Sequence, residues 1–160
     1  MNLTRRHILA ALPIAILVAC QEDPPIGSTS KPAKKRAELG PMMKPADLVK
    51  RLDDVKAGKI AVLYVGPEIL FDHGHVPGAK KLLEAGTDAG KKLLVKEIAN
   101  TPKDVELVVY CGCCPYASCP NVRPANEALH ASGRKNFYLL DLPTNFKTDW
   151  KDKGYPSERS

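Results

Sequence analysis

The chain has 160 residues, a formal net charge of +6, one Trp and three Phe. This length suits one domain with a hydrophobic core once an N-terminal segment is set aside. No aromatic residues are interleaved with the basic clusters, so we expect no nucleic-acid partner.

Residues 1–19 have the pattern of an export signal. Two arginines, Arg5 and Arg6, precede an uncharged apolar run over residues 8–19. Such a run is too short to span a bilayer, which needs about 20 residues, so it indicates a signal peptide rather than a membrane span. The arginine pair and its neighbours resemble a twin-arginine export motif, with an ordinary secretory signal as the alternative. We therefore predict an exported protein.

The apolar run ends in Leu-Val-Ala-Cys, with Cys20 in the last place. This ending resembles a bacterial lipobox, in which the cysteine is lipidated and becomes the mature N-terminus. We predict a lipid anchor at Cys20 on the periplasmic or cell-surface side of a bacterial membrane, with a chance cysteine as the alternative. Residues 20–38 are rich in Pro, Ser and Lys, which predicts a flexible tether before a domain at residues 39–158.

Helices and strands alternate along that domain. The predicted order is helix 45–56, strand 60–65, a turn-rich connector 73–79, a short strand near 81–83, helix 91–99, strand 106–110, helix 122–132, strand 137–140 and a terminal helix 146–153. In helix 91–99 we expect Leu94, Val95 and Ile98 to face the core. This alternation implies parallel crossovers, so we predict an α/β fold with a mostly parallel sheet and helices on both faces.

Four cysteines lie within nine residues directly after strand 106–110: Cys111, Cys113, Cys114 and Cys119. Cys111 is placed at the C-terminal end of a strand, on a loop that leads into a helix. Ligands bind at such strand ends in open α/β sheets. A nearby helix N-terminus lowers the pKa of a thiol and enriches the reactive thiolate. The pattern therefore indicates sulfur chemistry.

Three segments, in the right order and spacing, resemble rhodanese domains. They are Gly-His-Val-Pro-Gly-Ala at residues 74–79, Val-Val-Tyr-Cys at residues 108–111, and Trp-Lys-Asp-Lys-Gly-Tyr-Pro at residues 150–156. The resemblance covers residues 39–158. It implies a five-stranded, mostly parallel sheet and a sulfurtransferase that forms a persulfide on Cys111 and passes the sulfur to a thiol acceptor.

The chain also departs from that family. Tyr-Val-Gly at residues 64–66 stands where many rhodaneses have Asp-Val-Arg, and the loop after Cys111 is longer and has no basic residue before Arg123. Pro115 and Pro120 lack the backbone N–H that would hold an anion. We therefore expect a persulfide or polysulfide donor rather than thiosulfate. Arg123 is a candidate anion-binding residue, with a solvated arginine as the alternative.

Some neighbouring residues have simpler interpretations. His75 is interpreted as a hydrogen-bonded framework residue rather than a metal ligand, and Asn121 as the N-cap of the next helix. Tyr116 is the one aromatic residue on the loop, and it either covers the site or is exposed. A phosphatase-like Cys-x5-Arg cradle is excluded because position 117 is Ala.

The three additional cysteines allow several hypotheses. If Cys111 stays free, we expect Cys119 to form a disulfide with Cys113 or Cys114, because an exported location favours disulfides. The remaining thiol would then resolve a Cys111 persulfide by expelling sulfide, and the resulting disulfide would need a thiol reductase.

We predict no cofactor, but a metal site is an alternative. Zinc or an iron–sulfur cluster on Cys111, Cys113, Cys114 and Cys119 would use four thiolates. All four lie on one short loop, which is awkward for a single ion. A thiol-redox or interaction module that lacks sulfurtransferase turnover is the other alternative.

Overall fold

The structure is a computed structural model that describes residues 38–116 and 118–160. The predicted signal peptide, Cys20 and nearly all of the predicted tether lie outside these residues. Among the helices in the described ranges, none has the length and apolar character needed to cross a membrane.

Five strands form one sheet in which every pairing is parallel. They are β1 (Met42–Met43), β2 (Ile60–Tyr64), β3 (Lys80–Lys81), β4 (Glu106–Tyr110) and β5 (Phe137–Leu140). The strand order is β1-β5-β4-β2-β3, so β4 is the central strand, paired with β5 on one side and β2 on the other. The predicted five-stranded α/β fold is confirmed, and the sheet is wholly parallel rather than mostly so.

Within residues 38–116 and 118–160, six α-helices and one 3₁₀ turn connect and follow the strands. They are α1 (Pro45–Val49), α2 (Leu52–Lys56), α3 (Glu68–His73), α4 (Asp88–Asn100), α5 (Val122–Ala131), α6 (Phe146–Asp149) and the 3₁₀ turn Lys151–Lys153. The Thr87 hydroxyl caps α4 by accepting a hydrogen bond from the Gly90 N–H at 3.0 Å. This cap places the start of α4 three residues before the predicted one.

The core has two halves, one on each face of the sheet. Strand residues alternate between them, as the pleat requires: Leu107 and Val109 face one half, and Val108 and Tyr110 face the other. Buried residues of α4 and α5 fill the first half, while α1, α2, α3 and α6 contribute to the second. Cys111 continues the first set, so its side chain lies under α5 rather than α6.

The predicted helix 45–56 is wrong in one respect, because it is two short helices. Arg51 leaves the helical conformation at φ −114° and ψ 16°, and its guanidinium binds the Glu106 carboxylate at 2.7 Å. The predicted inward position of Val95 is also wrong, since this residue is 54% exposed, whereas Leu94 and Ile98 are buried.

His75 is a framework residue, as predicted. Its Nδ1–H donates to the Phe71 carbonyl oxygen at 2.9 Å, and its ring stacks on the Phe71 ring at 3.7 Å. Its backbone also pairs with Glu158 in an antiparallel bridge. The turn-rich connector thereby joins α3 to the C-terminal segment.

Candidate active site

The cysteine loop starts at the carboxyl end of the central strand. Cys111 follows β4 directly and is only 1% exposed. The loop returns to the sheet at α5, so Cys119 lies just before the N-terminus of this helix and is 3% exposed. Carboxyl strand ends and helix N-termini meet here, which is where ligands bind in parallel α/β sheets.

The structure brings all four predicted site cysteines together as free thiols. We call Cys111, Cys113, Cys114 and Cys119 the thiol cluster. The Cys113 sulfur is its centre: it lies 3.2 Å from the Cys111 sulfur, 3.0 Å from that of Cys114 and 3.8 Å from that of Cys119. The described cysteines form no disulfide, so the predicted pairing of Cys119 with Cys113 or Cys114 stays a prediction.

Asn121 holds the Cys111 sulfur from the side of α5. Its amide Nδ2–H donates to the Cys111 Sγ at 3.4 Å, and its Oδ1 accepts from the Gly86 N–H at 2.8 Å. The side chain is buried and makes no cap hydrogen bond to α5. Asn121 is the N-cap residue of α5, as predicted, but its side chain binds the Cys111 thiol and the Gly86 N–H rather than the N-terminus of the helix.

Gly66 packs closely against another side of the same sulfur. A Cβ at this position would lie 2.8 Å from the Cys111 Sγ and 2.6 Å from the Tyr64 hydroxyl oxygen. Both distances are shorter than packed side chains tolerate. Gly66 also lines a surface cavity of about 340 Å³, which we call the Gly66 cavity and which includes Lys81 and Glu84. The glycine found where rhodaneses often have Arg is thus the residue nearest that cavity and Cys111.

The neighbouring thiols and burial shift the pKa values of Cys119 and Cys111 in opposite directions. The hydrogen bond from the Cys111 thiol, together with the backbone amides of Asn121 and Val122, lowers the pKa of Cys119 to about 5. The same hydrogen bond and burial raise the pKa of Cys111 well above the ordinary thiol value. The two sulfur atoms lie within 4.8 Å of each other, so the titrations of these two thiols are linked.

Cys113 and Cys114 are half-buried, and they differ from each other in what they contact. Burial and the hydrogen bond with Cys113 raise the pKa of Cys114 to about 12, so this thiol stays protonated at neutral pH. Cys113 instead lines a groove of about 530 Å³ on the protein surface. We call it the Cys113 groove.

The Cys113 groove has an apolar wall and a basic rim. Ile69 and Leu70 of α3 form part of the wall and are 65% and 43% exposed. Lys147 and Lys151 supply the basic rim, where Lys147 binds Asp152 at 2.9 Å and Lys151 donates to the His73 carbonyl oxygen at 3.2 Å. No sequence pattern predicted a role for these lysines, because they come from the C-terminal segment, far from the cysteine loop in the sequence.

Two anchors fix the loop in place. The half-buried Tyr116 hydroxyl donates to the Leu140 carbonyl oxygen at 2.8 Å and to Asp141 at 3.0 Å, so this ring ties the loop to the end of β5. The Gly112 carbonyl oxygen accepts from the Phe146 N–H at 2.9 Å. Gly112 has φ +72°, and a Cβ there would lie 2.7 Å from the Phe146 Cβ, so only glycine fits.

Arg123 lies in the first turn of α5 and is half-buried. It lines neither the Cys113 groove nor the Gly66 cavity. Its predicted role in anion binding therefore gains no support from the described residues and stays a prediction.

No protein-family model and no curated protein matches the chain. Solved structures do match. The rhodanese-like domain of the Alr3790 protein from Anabaena is 19% identical, with a TM-score of 0.51 over 76% of this chain and 81% of that one. A rhodanese-related protein from Thermoplasma volcanium is 14% identical, with a TM-score of 0.51 over 76% of this chain and 100% of that one.

A third similar structure is a Rhodopseudomonas palustris protein of unknown function described as a possible tyrosine phosphatase. It is 19% identical, with a TM-score of 0.51 over 74% of this chain and 84% of that one. The Cys-x5-Arg pattern is absent here, because Ala117 stands in the place of its arginine. The order of the strands, the position of Cys111 and the similarity to the first two structures all indicate the same fold. This chain has the rhodanese-like fold.

Proposed function

We propose that the domain is a sulfurtransferase that carries sulfane sulfur as a persulfide on Cys111 and passes it to a thiol acceptor. The observation that carries the proposal is the position of the Cys111 sulfur at the end of the central strand, between an amide donor and other thiols. A thiolate attacks sulfane sulfur, and the persulfide that forms needs hydrogen-bond donors around its charge. The Asn121 amide is such a donor.

Loading requires that Cys111 lose its proton as it attacks. The Cys119 sulfur lies within 4.8 Å of the Cys111 sulfur, and we assign it as the group that takes up that proton. In the step, the Cys111 sulfur bonds to the outer sulfur of a persulfide donor and the donor S–S bond breaks. The donor leaves as a thiolate with the electron pair, and the Cys111 proton ends on Cys119.

The donor we propose is a persulfide or polysulfide rather than thiosulfate. Between Cys111 and α5 the loop has no Lys or Arg, and Pro115 and Pro120 offer no N–H to a dianion. The Gly66 backbone packs closely against the Cys111 sulfur, because a Cβ at this position would lie 2.8 Å from it, and Cys111 is 1% exposed. A small donor with little charge suits this environment better than a sulfonate group does.

The test is mass spectrometry of the reduced full-length chain after brief treatment with polysulfide and rapid alkylation. We expect one extra sulfur on Cys111, in higher yield when Cys113 and Cys114 are both replaced by Ser. Cys111→Ser should lose it, while Cys114→Ser alone should retain it as the matched control. Absence of the extra sulfur from every protein, or its persistence in Cys111→Ser, would contradict the proposal.

A metal centre is the second candidate function, because the sulfur atoms of Cys111, Cys113 and Cys119 all lie within 4.8 Å of one another. Thiolates bound at about 2.3 Å on a tetrahedral zinc ion lie roughly 3.8 Å apart. The Cys113–Cys119 distance of 3.8 Å matches, whereas the 3.2 Å and 3.0 Å contacts of Cys113 are shorter. Stoichiometric zinc or iron in the purified protein, lost in Cys119→Ser and accompanied by no sulfur uptake, would favour this candidate.

We also propose that the domain acts outside the cytoplasm, held to a membrane by a lipid on Cys20. The lipobox-like ending of the apolar run supports this. Cys20→Ala should move the protein from the membrane fraction to the soluble fraction of the cells that make it. Unchanged membrane fractionation of Cys20→Ala would contradict a lipid anchor.

A further inference from the structure

We infer that Cys113 is the resolving cysteine of the loop: it attacks the Cys111 sulfur of the persulfide, releases sulfide and leaves a Cys111–Cys113 disulfide that a dithiol reduces through the Cys113 groove. This inference rests on the proposed persulfide and adds the fate of its sulfur. The loop sequence alone does not distinguish Cys113 from Cys114 in this role.

The contacts within the thiol cluster distinguish them. The Cys113 sulfur lies 3.2 Å from the Cys111 sulfur, a distance typical of reacting atoms held for attack. The Cys114 sulfur is hydrogen-bonded to Cys113 at 3.0 Å and not to Cys111. Cys113 is therefore the neighbour that can reach Cys111.

The resolving step is a balanced thiol–persulfide exchange. The Cys113 sulfur bonds to the Cys111 sulfur, and the bond from Cys111 to the outer sulfur breaks. The outer sulfur leaves with the electron pair as sulfide and takes up the proton of the Cys113 thiol. Two thiols are thereby oxidised to one disulfide while the sulfane sulfur supplied by the polysulfide is reduced to sulfide.

The disulfide would be reduced at Cys113 because an external thiol can reach the Cys113 sulfur but not the Cys111 sulfur. Cys111 is 1% exposed, whereas Cys113 lines the groove. An external thiolate in the groove therefore meets the Cys113 sulfur first and expels Cys111 as a thiolate, which the Asn121 amide stabilises at 3.4 Å. The second thiol of a dithiol then releases Cys113 by forming the reductant's own disulfide.

A disulfide between Cys111 and Cys113 would close a small ring across Gly112. Disulfides that depart from relaxed geometry are more easily reduced. Cystine pairs of this kind suit a catalytic cycle better than a permanent cross-link. The class of reductant that fits is a dithiol. A monothiol would leave a mixed disulfide on Cys113, whereas the second thiol of a dithiol breaks that bond.

The test is a single turnover without an added thiol. The full-length chain, with Cys20→Ser in every protein so that only the four loop thiols remain, is reduced, loaded with polysulfide and freed of excess reagent. We expect about one sulfide per protein from the parent, and a product that lacks two hydrogens relative to the reduced chain. Cys113→Ser should instead keep the extra sulfur on Cys111 and release at least tenfold less sulfide.

Cys114→Ser is the matched control and should release sulfide like the parent. Cys113→Ala is measured beside Cys113→Ser, and circular dichroism checks that both are folded. Sulfide release from loaded Cys113→Ser and Cys113→Ala at the parent rate would overturn the inference but leave the proposed function intact. If no protein takes up sulfur, the proposed function fails and the inference fails with it.

Discussion

At the scale of single residues, Gly66 and Asn121 surround the sulfur of Cys111. Asn121 donates a hydrogen bond to it, and the Gly66 backbone packs closely beside it. The sequence alone does not show that either residue contacts Cys111. Gly66 follows a different strand, and Asn121 lies ten residues further along the chain. The environment of the Cys111 sulfur therefore depends on two residues outside its own strand.

Gly66→Ala should damage both packing and loading. The added Cβ would lie 2.8 Å from the Cys111 Sγ and 2.6 Å from the Tyr64 hydroxyl oxygen, so one of these groups must move. Overpacking of this kind costs about 1–3 kcal/mol in the free energy of unfolding, which denaturant titration measures. In a Cys111→Ala background the sulfur is absent, and the cost should be smaller. An equal cost in both backgrounds would show that the Cys111 sulfur is not the crowded atom.

Cys119→Ser should remove the thiolate of the cluster at low pH. In the parent, the hydrogen bond from Cys111 and the backbone amides lower the pKa of Cys119 to about 5, so the thiolate is present above that pH and lost below it. A serine hydroxyl does not ionise in this range, and burial still raises the pKa of Cys111. The ultraviolet thiolate signal should therefore appear only at a pH near or above the ordinary thiol pKa of about 8.5. Cys114→Ser should keep the low-pH signal, and its persistence in Cys119→Ser would place the charge elsewhere.

At the scale of elements, the cysteine loop is held by β5 and by the start of α6. Tyr116 binds the end of β5, and Gly112 binds the backbone of Phe146. The loop therefore keeps the four sulfur atoms together without a cross-link. Its anchors come from the C-terminal part of the chain, so the site is complete only when β5 and α6 are in place.

Tyr116→Phe should loosen the loop while leaving the sheet intact. It removes the hydrogen bonds from the hydroxyl to Leu140 and Asp141, at a cost of about 1–2 kcal/mol in the free energy of unfolding. Alkylation of Cys113 and Cys114 should become faster, as followed by mass spectrometry. Tyr138→Phe is the control, because that hydroxyl has no hydrogen bond with any residue the structure describes. Equal alkylation rates in the parent and Tyr116→Phe would contradict the anchoring role.

The sequence predicts some elements well and misses others for physical reasons. β2, β4 and β5 are continuous apolar runs that are buried on both faces, a pattern that few other structures produce. β1 has only two residues, and α3 exposes Ile69 and Leu70 instead of presenting an apolar stripe to the core. Short elements and those that border a groove carry too little periodicity to be recognised.

At the scale of the whole molecule, the site is assembled from three separate parts of the chain. Cys111 and Asn121 come from the loop, Gly66 from the segment after β2, and Lys147 from α6. The sequence predicts the nucleophile because a strand end and a cysteine cluster coincide. It does not predict which sulfur contacts which, or that two lysines border the groove, because those depend on how the chain returns to the same edge of the sheet.

The basic rim should make the Cys113 groove selective for anionic reagents. Lys147 and Lys151 line the groove together with one acidic side chain, Asp152, and the whole chain has a net charge of +6. Iodoacetate and iodoacetamide are similar in size and differ by one negative charge, so the ratio of their alkylation rates at Cys113 reports the local potential.

Replacing both lysines by Gln should lower that ratio by a factor of about two to five, because exposed charge pairs contribute up to about 1 kcal/mol. Lys92→Gln on α4, away from the groove, should leave it unchanged, and the parent ratio should fall with added salt. If the ratio of the two alkylation rates is the same with and without both lysines, the reagents reach Cys113 by a path other than this groove.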